Sequence, residues 1–347
     1  MLGPNRRALT VGSQNFLLVT GATGQIGRAV VRQCLNDNYA VRIIARDKAA
    51  AQKLFVGLNV DIVGADLDKH AAFEEMLTDI THICHCAARV GDWGPAAQYW
   101  QTNVHAFQSL LDACVKFAPQ LQRFVHISSL GVYEPRDHFG TSEHEPIYKN
   151  GLDAYNQTKA ASEDMILKHD IVKKVGVIVL RPGFVYGPGD RHVLPGVIET
   201  LRLKKFVHFD QGKHKLDNVS VFNVAEAVKL ALANKSINAG IFNITDNELV
   251  TRKKFVETIA DLMQLPRPKG SIPRPVGQVI AYLCDGVGRL LQLKKPPLLS
   301  KARYKFLALN LEFSIEKAKL QLGYKGDYSF EKGMLSAVEW YKEEGAV

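Results

Sequence analysis

Cysteine is scarce in this chain: five residues (Cys34, Cys84, Cys86, Cys114 and Cys284) in 347, an odd number at irregular spacing. No disulfide framework can be read from such a set, which points to a reducing compartment and predicts a cytoplasmic protein. No run of eighteen apolar residues occurs, which argues against a transmembrane helix. Residues 1–14 lack the apolar core of a signal peptide and read as a flexible leader. There is no block of five like charges and no ladder of aromatics interleaved with arginine, so nucleic acid is a poor partner. Internal repeats and low-complexity segments are missing as well.

What is present is ordinary globular usage, 46% hydrophobic and 23% charged, with material for about two structural units or one large α/β unit with an appended cap. The net charge of +9 is lopsided: residues 1–173 hold 17 basic and 18 acidic side chains, residues 174–347 hold 27 and 17. A basic C-terminal half draws in an anionic substrate, approaches an anionic membrane, or simply solvates one face.

Short apolar runs alternate with segments of helical period, the pattern of βαβ units. Strands are predicted at 15–20, 41–45, 60–63, 82–86, 123–128 and 175–181, and helices at 26–36, 49–55, 71–78, 100–117 and 154–169. The fold class that follows is α/β: a doubly wound parallel sheet (Rossmann) over residues 15–181, whose ligand sits beyond the carboxyl ends of the strands. Residues 182–347 read as a smaller, mainly helical substrate-binding part, with helices near 193–204, 223–234, 251–263 and 274–293. Elements returning to the first unit are expected near 219–245, including a late strand at 240–244.

The chemistry-bearing residues fall at strand and helix ends. Gly21-Ala22-Thr23-Gly24-Gln25-Ile26-Gly27 follows a buried strand and opens a helix. Glycines there permit a tight turn and close approach of backbone amides to a pyrophosphate at the helix N-terminus, which predicts a dinucleotide. Arg46 stands at the end of the second strand, where arginine pairs with a 2′-phosphate, so NADP is expected over NAD; the alternative leaves Arg46 exposed and Asp47 on the ribose. Asp66, after the third strand, is a partner for the adenine amino group or a cap. Tyr155 and Lys159 lie four apart on one helical face. A phenol with an ordinary pKa of about 10 exchanges protons poorly at neutral pH, and an adjacent ammonium and a cationic nicotinamide ring are both expected to lower it. Ser128-Ser129, at the end of the fifth strand, can hold a substrate oxygen beside that phenol.

Together with Asp66-Leu67, His85-Cys86-Ala87-Ala88, Asn103-Val104 and Arg181-Pro182-Gly183-Phe184-Val185-Tyr186-Gly187-Pro188-Gly189-Asp190, these elements resemble the extended short-chain dehydrogenase/reductase family. The resemblance runs from about residue 15 to the C-terminus. It implies Ser129, rather than Ser128, as the substrate-orienting hydroxyl, Tyr155 as the proton donor or acceptor and Lys159 as its electrostatic helper. The implied cofactor-binding set is Gly21, Thr23, Gly24, Gln25, Ile26, Gly27, Arg46, Asp66, Leu67, Ala87, Ala88, Asn103, Tyr155, Lys159, Pro182 and Val185.

Departures from sugar-nucleotide members narrow the branch. Ser129-Leu130-Gly131 replaces the Thr-Asp-Glu of the dehydratases, and Asn223 stands where many sugar-nucleotide enzymes carry Asp. The segments around Asn223, Phe242-Asn243-Ile244-Thr245-Asp246, Pro296-Pro297 and Leu322-Gly323-Tyr324 are similar to the 3β-hydroxysteroid and sterol dehydrogenase branch, which includes reductases of long-chain β-keto acids. The resemblance implies an NADP-dependent oxidoreductase acting on a carbonyl or secondary alcohol of a small hydrophobic molecule. The alternative is a nucleotide-sugar epimerase with tightly bound NAD.

Residues 276–293 carry a broad apolar stripe that lines a greasy pocket, lies on a membrane surface as a peripheral contact, or packs on the core. Trp93 and Trp100 face the substrate or pack a lid. His82-Ile83-Cys84-His85-Cys86 mimics metal ligands, but strand alternation sends His82, Cys84 and Cys86 to one face and His85 to the other, so no metal is expected. A homodimer is left open.

Overall fold

The computed structural model describes residues 15–69, 72–191, 193–291, 293, 295–297 and 299–344. The predicted leader 1–14 lies outside them, as does residue 71 of the predicted helix 71–78. The strands, in chain order, are β1 (Phe16–Thr20), β2 (Ala40–Ala45), β3 (Val60–Gly64), β4 (His82–His85), β5 (Arg123–Ile127), β6 (His138–Thr141), β7 (Gly176–Pro182), β8 (Phe184–Tyr186), β9 (Val207–Phe209), β10 (Asn218–Ser220), β11 (Ala239–Ile244), β12 (Gly270–Ile272) and β13 (Leu311–Phe313). The helices are α1 (Gln25–Asn36), α2 (Lys48–Leu54), α3 (Phe73–Leu77), α4 (Ala96–Trp100), α5 (Ala106–Phe117), α6 (Ala154–Lys168), α7 (Val193–Arg202), α8 (Val221–Ala233), α9 (Arg252–Leu262), α10 (Arg274–Leu290), α11 (Lys301–Ala308), α12 (Glu316–Leu322) and α13 (Phe330–Glu344).

Seven strands form one sheet in the order β11-β7-β5-β4-β1-β2-β3, every pair parallel. Alternation within each strand feeds two cores. Leu17, Val19, Ile43, Val125 and Ile178 meet α1 and α8 on one face, while Leu18, Ile44, Phe124, Val177 and Val179 meet α3, α5 and α6 on the other. Near-continuous apolar strands are what a sheet covered on both faces requires. The order reverses at β1, flanked by β4 on one side and β2 on the other, and this switch point opens a crevice at the carboxyl ends.

Downstream of β7 the chain both returns and departs. Helix α8 packs on α1 through Val224, Ala227, Val228 and Ala231, and β11 extends the sheet at β7. Helices α7, α9 and α13 build a separate cluster around Ile198, Phe255, Ile259, Phe330 and Met334. Helices α11, α12 and α13 and the parallel pairs β8–β10, β9–β12 and β6–β13 are not foreseen from the sequence. Strands of three or four residues are too short to display a period, and their partners lie far away along the chain. The predicted continuous helix 100–117 is interrupted: residues 101–105 form a wide π turn between α4 and α5, a local feature frequent at functional sites.

Candidate active site

The glycine loop is a close-packed cradle. Gly21 has φ +65°, and a Cβ there would stand 2.6 Å from the Ala87 nitrogen; a Cβ on Gly27 would stand 2.3 Å from the Gly21 oxygen. Backbone, not flexible side chain, is what these atoms would strike. Gly24 caps α1 without any side-chain acceptor for the first-turn amides, and Thr23 and Gly24 are exposed. The helix thus presents donors and positive potential to the crevice, the arrangement that accepts a pyrophosphate. Ile26 packs against the first core. The Gln25 amide is already engaged, donating to the Gly187 carbonyl at 3.1 Å and tying the loop to the segment that follows β8.

At the ends of β2 and β3, Arg46 is exposed. Asp47 caps α2, its Oδ1 accepting from the Ala50 amide at 2.9 Å. Asp66 is half-buried and accepts from the Asp68 amide at 3.2 Å. Leu67 is buried in the second core. Ala87 and Ala88 continue β4 against Gly21, the Ala87 amide donating to Thr20 Oγ1 at 3.2 Å. Asn103 sits in the π turn and spends its amide as a bridge: its Oδ1 accepts from the Arg89 amide (2.7 Å), and its Nδ2 donates to the Arg89 carbonyl (3.1 Å) and to Thr158 Oγ1 (2.9 Å). The loop after β4 is thereby fixed to α6. Pro182 ends β7, and Val185 in β8 packs half-buried on the first core.

Asp153 caps α6, accepting from the Asn156 amide at 2.8 Å, and so sets where the helix begins and where Tyr155 and Lys159 emerge. Ser129 Oγ accepts from the Gly131 amide at 3.0 Å and lies beside the Tyr155 hydroxyl, whose ionised form it favours. Lys159 Nζ donates to the Ile127 carbonyl at 2.7 Å, at the carboxyl end of β5. The three side chains gather at the carboxyl end of β5. One expectation needs correction: the Lys159 ammonium by itself does not bring the Tyr155 phenol below its ordinary value. Burial pushes the phenol up to about 12, with the Ser129 hydroxyl pulling the other way and Asp153 adding to the rise. The cost of placing a phenolate away from water outweighs the help its neighbours give. Burial also brings Lys159 down to about 8, against the opposing influence of Cys86 and Glu163.

Beneath this group lies a buried network that the sequence reading missed. Ser128 turns away from Tyr155 and donates to Glu163 Oε2 at 2.7 Å. Glu163 pairs with Arg181, whose Nε donates to Oε1 at 2.9 Å and whose Nη1 donates to the Tyr133 hydroxyl at 2.7 Å. Tyr133 in turn donates to Asn243 Oδ1 at 2.9 Å. Glu163 and Arg181 are almost wholly buried. The available signal was spacing: Glu163 follows Lys159 by one helical turn, on the same face.

The histidines of the metal-like run serve packing. His85 shares a hydrogen bond with Thr20 Oγ1 at 2.8 Å and forms a mutually stacked group with Phe107 and His126. Burial takes His85 down to about 3, with Lys159 acting in the same direction. His82 and Cys84 share the first face, as alternation requires, since His82 meets Tyr39 edge-on and Cys84 lies in that core. Among the described residues no three His, Cys, Asp or Glu side chains gather as metal ligands. Trp93 is a packing residue, its Nε1 donating to the Leu293 carbonyl at 2.7 Å beneath the Arg289 guanidinium.

The Asn at position 223 has a physical reason here. Its Nδ2 donates to Asp246 Oδ1 at 2.6 Å and to the Tyr328 carbonyl, and its Oδ1 accepts from the Tyr328 amide. Asp246 also accepts from Ser220, Asn218 and Tyr186, and burial raises it to about 6. An Asp at 223 would set two carboxylates against each other in a closed site. Asn223→Asp is therefore expected to cost about 3–5 kcal/mol at pH 8. Because the folded variant holds a proton that the unfolded chain has lost, its deficit shrinks as pH falls towards 5. Urea unfolding at the two pH values measures this, and a deficit independent of pH refutes the charge argument.

The glycine cradle, the crevice at the sheet reversal and the Ser129–Tyr155–Lys159 group can be set beside known proteins. Residues 17–245 match the model of the NAD dependent epimerase/dehydratase family. A sterol-4-alpha-carboxylate 3-dehydrogenase (decarboxylating) of Schizosaccharomyces pombe is 29% identical over 349 residues, covering 95% of this chain and 98% of its own. A 4-hydroxy-2-methyl-3-oxo-4-farnesyl-3,4-dihydroquinoline-1-oxide ketoreductase of Stigmatella aurantiaca is 26% identical over 318 residues, 91% of this chain and 93% of its own. A 2-alkyl-3-oxoalkanoate reductase of Shewanella oneidensis is 25% identical, covering 91% and 84%. Among solved structures, a dTDP-glucose 4,6-dehydratase of Streptomyces venezuelae with NAD bound superposes with a TM-score of 0.74 at 21% identity, covering 95% of this chain and 98% of that one. A UDP-glucose 4-epimerase of Thermotoga maritima gives 0.72 at 22%, covering 94% and 99%. These two share the fold. The chain belongs to the NAD dependent epimerase/dehydratase family, and within it is a nicotinamide-dependent oxidoreductase of the extended short-chain dehydrogenase/reductase type, similar to its 3β-hydroxysteroid dehydrogenase-like branch.

Proposed function

We propose that this enzyme interconverts a ketone and a secondary alcohol on a hydrophobic substrate, 3β-hydroxysteroid-like or a β-keto/β-hydroxy acid, with NADP as its coenzyme. The carrying observation is the convergence of Ser129, Tyr155 and Lys159 at the carboxyl end of β5, next to the glycine cradle. The nicotinamide cofactor, when bound, supplies or accepts the hydride. Ser129, fixed through the Gly131 amide, orients the substrate oxygen. Tyr155, protonated throughout the neutral range, donates its proton as that oxygen becomes an alkoxide. Lys159 remains mostly charged at pH 7 and offsets the phenolate left behind. The names of the similar proteins, a sterol carboxylate dehydrogenase and two ketone reductases, favour an apolar carbonyl compound over a sugar nucleotide. Gly21, Thr23, Gly24, Gln25, Ile26 and Gly27 would hold the pyrophosphate. Asp66, Leu67, Ala87, Ala88, Asn103, Pro182 and Val185 would shape the remaining walls, and residues 182–347 would supply most of the substrate pocket.

NADP is favoured because Asp47, the residue that would hold a free ribose, is committed to capping α2, while Arg46 stays exposed. Arg46→Ala is expected to weaken NADPH binding by roughly 10- to 150-fold, the equivalent of a charge-assisted hydrogen bond, and to leave NADH binding nearly unchanged. Calorimetric titration of both coenzymes into parent and variant checks this. A parent enzyme that prefers NADH overturns the assignment, and release of firmly bound NAD on denaturation favours an epimerase. Substrate class is tested by NADPH oxidation against a panel of steroids, β-keto acids and aromatic ketones.

A further inference from the structure

Helix α10 is built inside out. Its inward face carries its small residues: Gly277, Ala281 and Gly288 are buried, together with Asp285. A Cβ on Gly277 would stand 2.0 Å from the Phe209 ring, and one on Gly288 would stand 3.2 Å from Trp93. Ala281 joins the cluster of Leu130, Val132 and Tyr304. The large apolar residues point the other way. Val279, Leu283, Val287 and Leu290 are 61%, 64%, 53% and 82% exposed, and the stripe continues through Leu291 and Leu293. The stripe therefore neither lines a pocket nor packs on the core, and a patch of this kind on an otherwise well-buried protein marks a contact surface.

Charge identifies the occupant. The single acid of α10, Asp285, is buried and paired with Arg289 at 2.7 Å. Beside the exposed stripe, Lys295 is exposed just past its end and Lys301 is held over the Tyr282 ring at 4.4 Å. Lys269, just before β12, and Lys213, beside the turn whose Asp210 accepts from the Arg274 amide, flank the other end. A second copy seated on this face would bring one cationic rim against another. Anionic lipid headgroups complement the rim, and acyl chains complement the stripe. The helix has 17 residues, about 25 Å at 1.5 Å per residue, and among the described residues no helix is long and apolar enough to cross a membrane.

We propose that α10 docks this enzyme onto the surface of an anionic phospholipid bilayer, lying in the plane of the interface with Val279, Leu283, Val287 and Leu290 inserted. The inner face of the same helix shares a buried cluster with Leu130, the neighbour of Ser129, so docking brings this end of the sheet towards the lipid surface. The docking stands whichever carbonyl the enzyme reduces.

Co-sedimentation of the full chain with vesicles of phosphatidylcholine alone, or of phosphatidylcholine with phosphatidylserine, tests the proposal. Binding is expected to the anionic vesicles, to weaken as salt is raised, and to fall by roughly tenfold or more in Leu283→Glu/Val287→Glu, whose positions are too exposed to disturb folding. Lys295→Gln/Lys301→Gln should lose much of the preference for phosphatidylserine. Failure of the parent to bind either vesicle overturns the proposal, as does equal binding to both. So does a parent dimer that Leu283→Glu/Val287→Glu converts to monomer without any vesicle binding.

Discussion

Replacing Tyr155 with Phe is expected to lower kcat for carbonyl reduction by about 10²- to 10⁴-fold, the usual contribution of a positioned general acid, with little change in coenzyme affinity. The ring and its packing survive in the variant; only the hydroxyl is removed. Since burial holds the phenol near 12, the parent carries the donor form across the whole working range. The first group to titrate on the alkaline side is Lys159, near 8. For the reductive direction, kcat/KM should therefore fall as pH rises through about 8, where the charge that stabilises the phenolate disappears. Steady-state kinetics of parent and variant with a ketone from the substrate panel read both effects. Turnover of the variant within a few-fold of the parent removes the phenol from the reaction.

The second large effect concerns stability. Glu163→Ala leaves the Arg181 guanidinium buried against the Tyr133 hydroxyl alone, and strips Ser128 of its acceptor. Removing one partner of a buried ion pair costs about 3–5 kcal/mol, because the remaining charge is uncompensated rather than because the pair itself is strongly stabilising. The loss should appear as a lower urea midpoint with an unchanged slope. Glu163→Gln keeps the shape and part of the hydrogen bonding, and should recover some of the deficit. Because this network anchors α6 to β5 and β7, the alanine variant is also expected to lose turnover through displacement of Tyr155 and Lys159. A midpoint equal to the parent's contradicts the account.

The parallel sheet, the glycine cradle and the four-residue spacing of Tyr155 and Lys159 were legible from the chain alone. Each depends on local chemistry: apolar runs that only a doubly covered sheet can bury, glycines where a Cβ would strike backbone, and a helical repeat that puts i and i+4 side by side. Tertiary structure decided what local chemistry leaves symmetric. Ser128 and Ser129 are adjacent and identical, and only the position of Glu163 on one side and Tyr155 on the other separates them. The apolar stripe of α10 has the same period whether it faces core or solvent; what turned it outward is the small-residue face that fits against Phe209 and Trp93. The phenol's proton affinity likewise depends on how tightly protein encloses Tyr155, a property of packing that spacing to Lys159 does not encode.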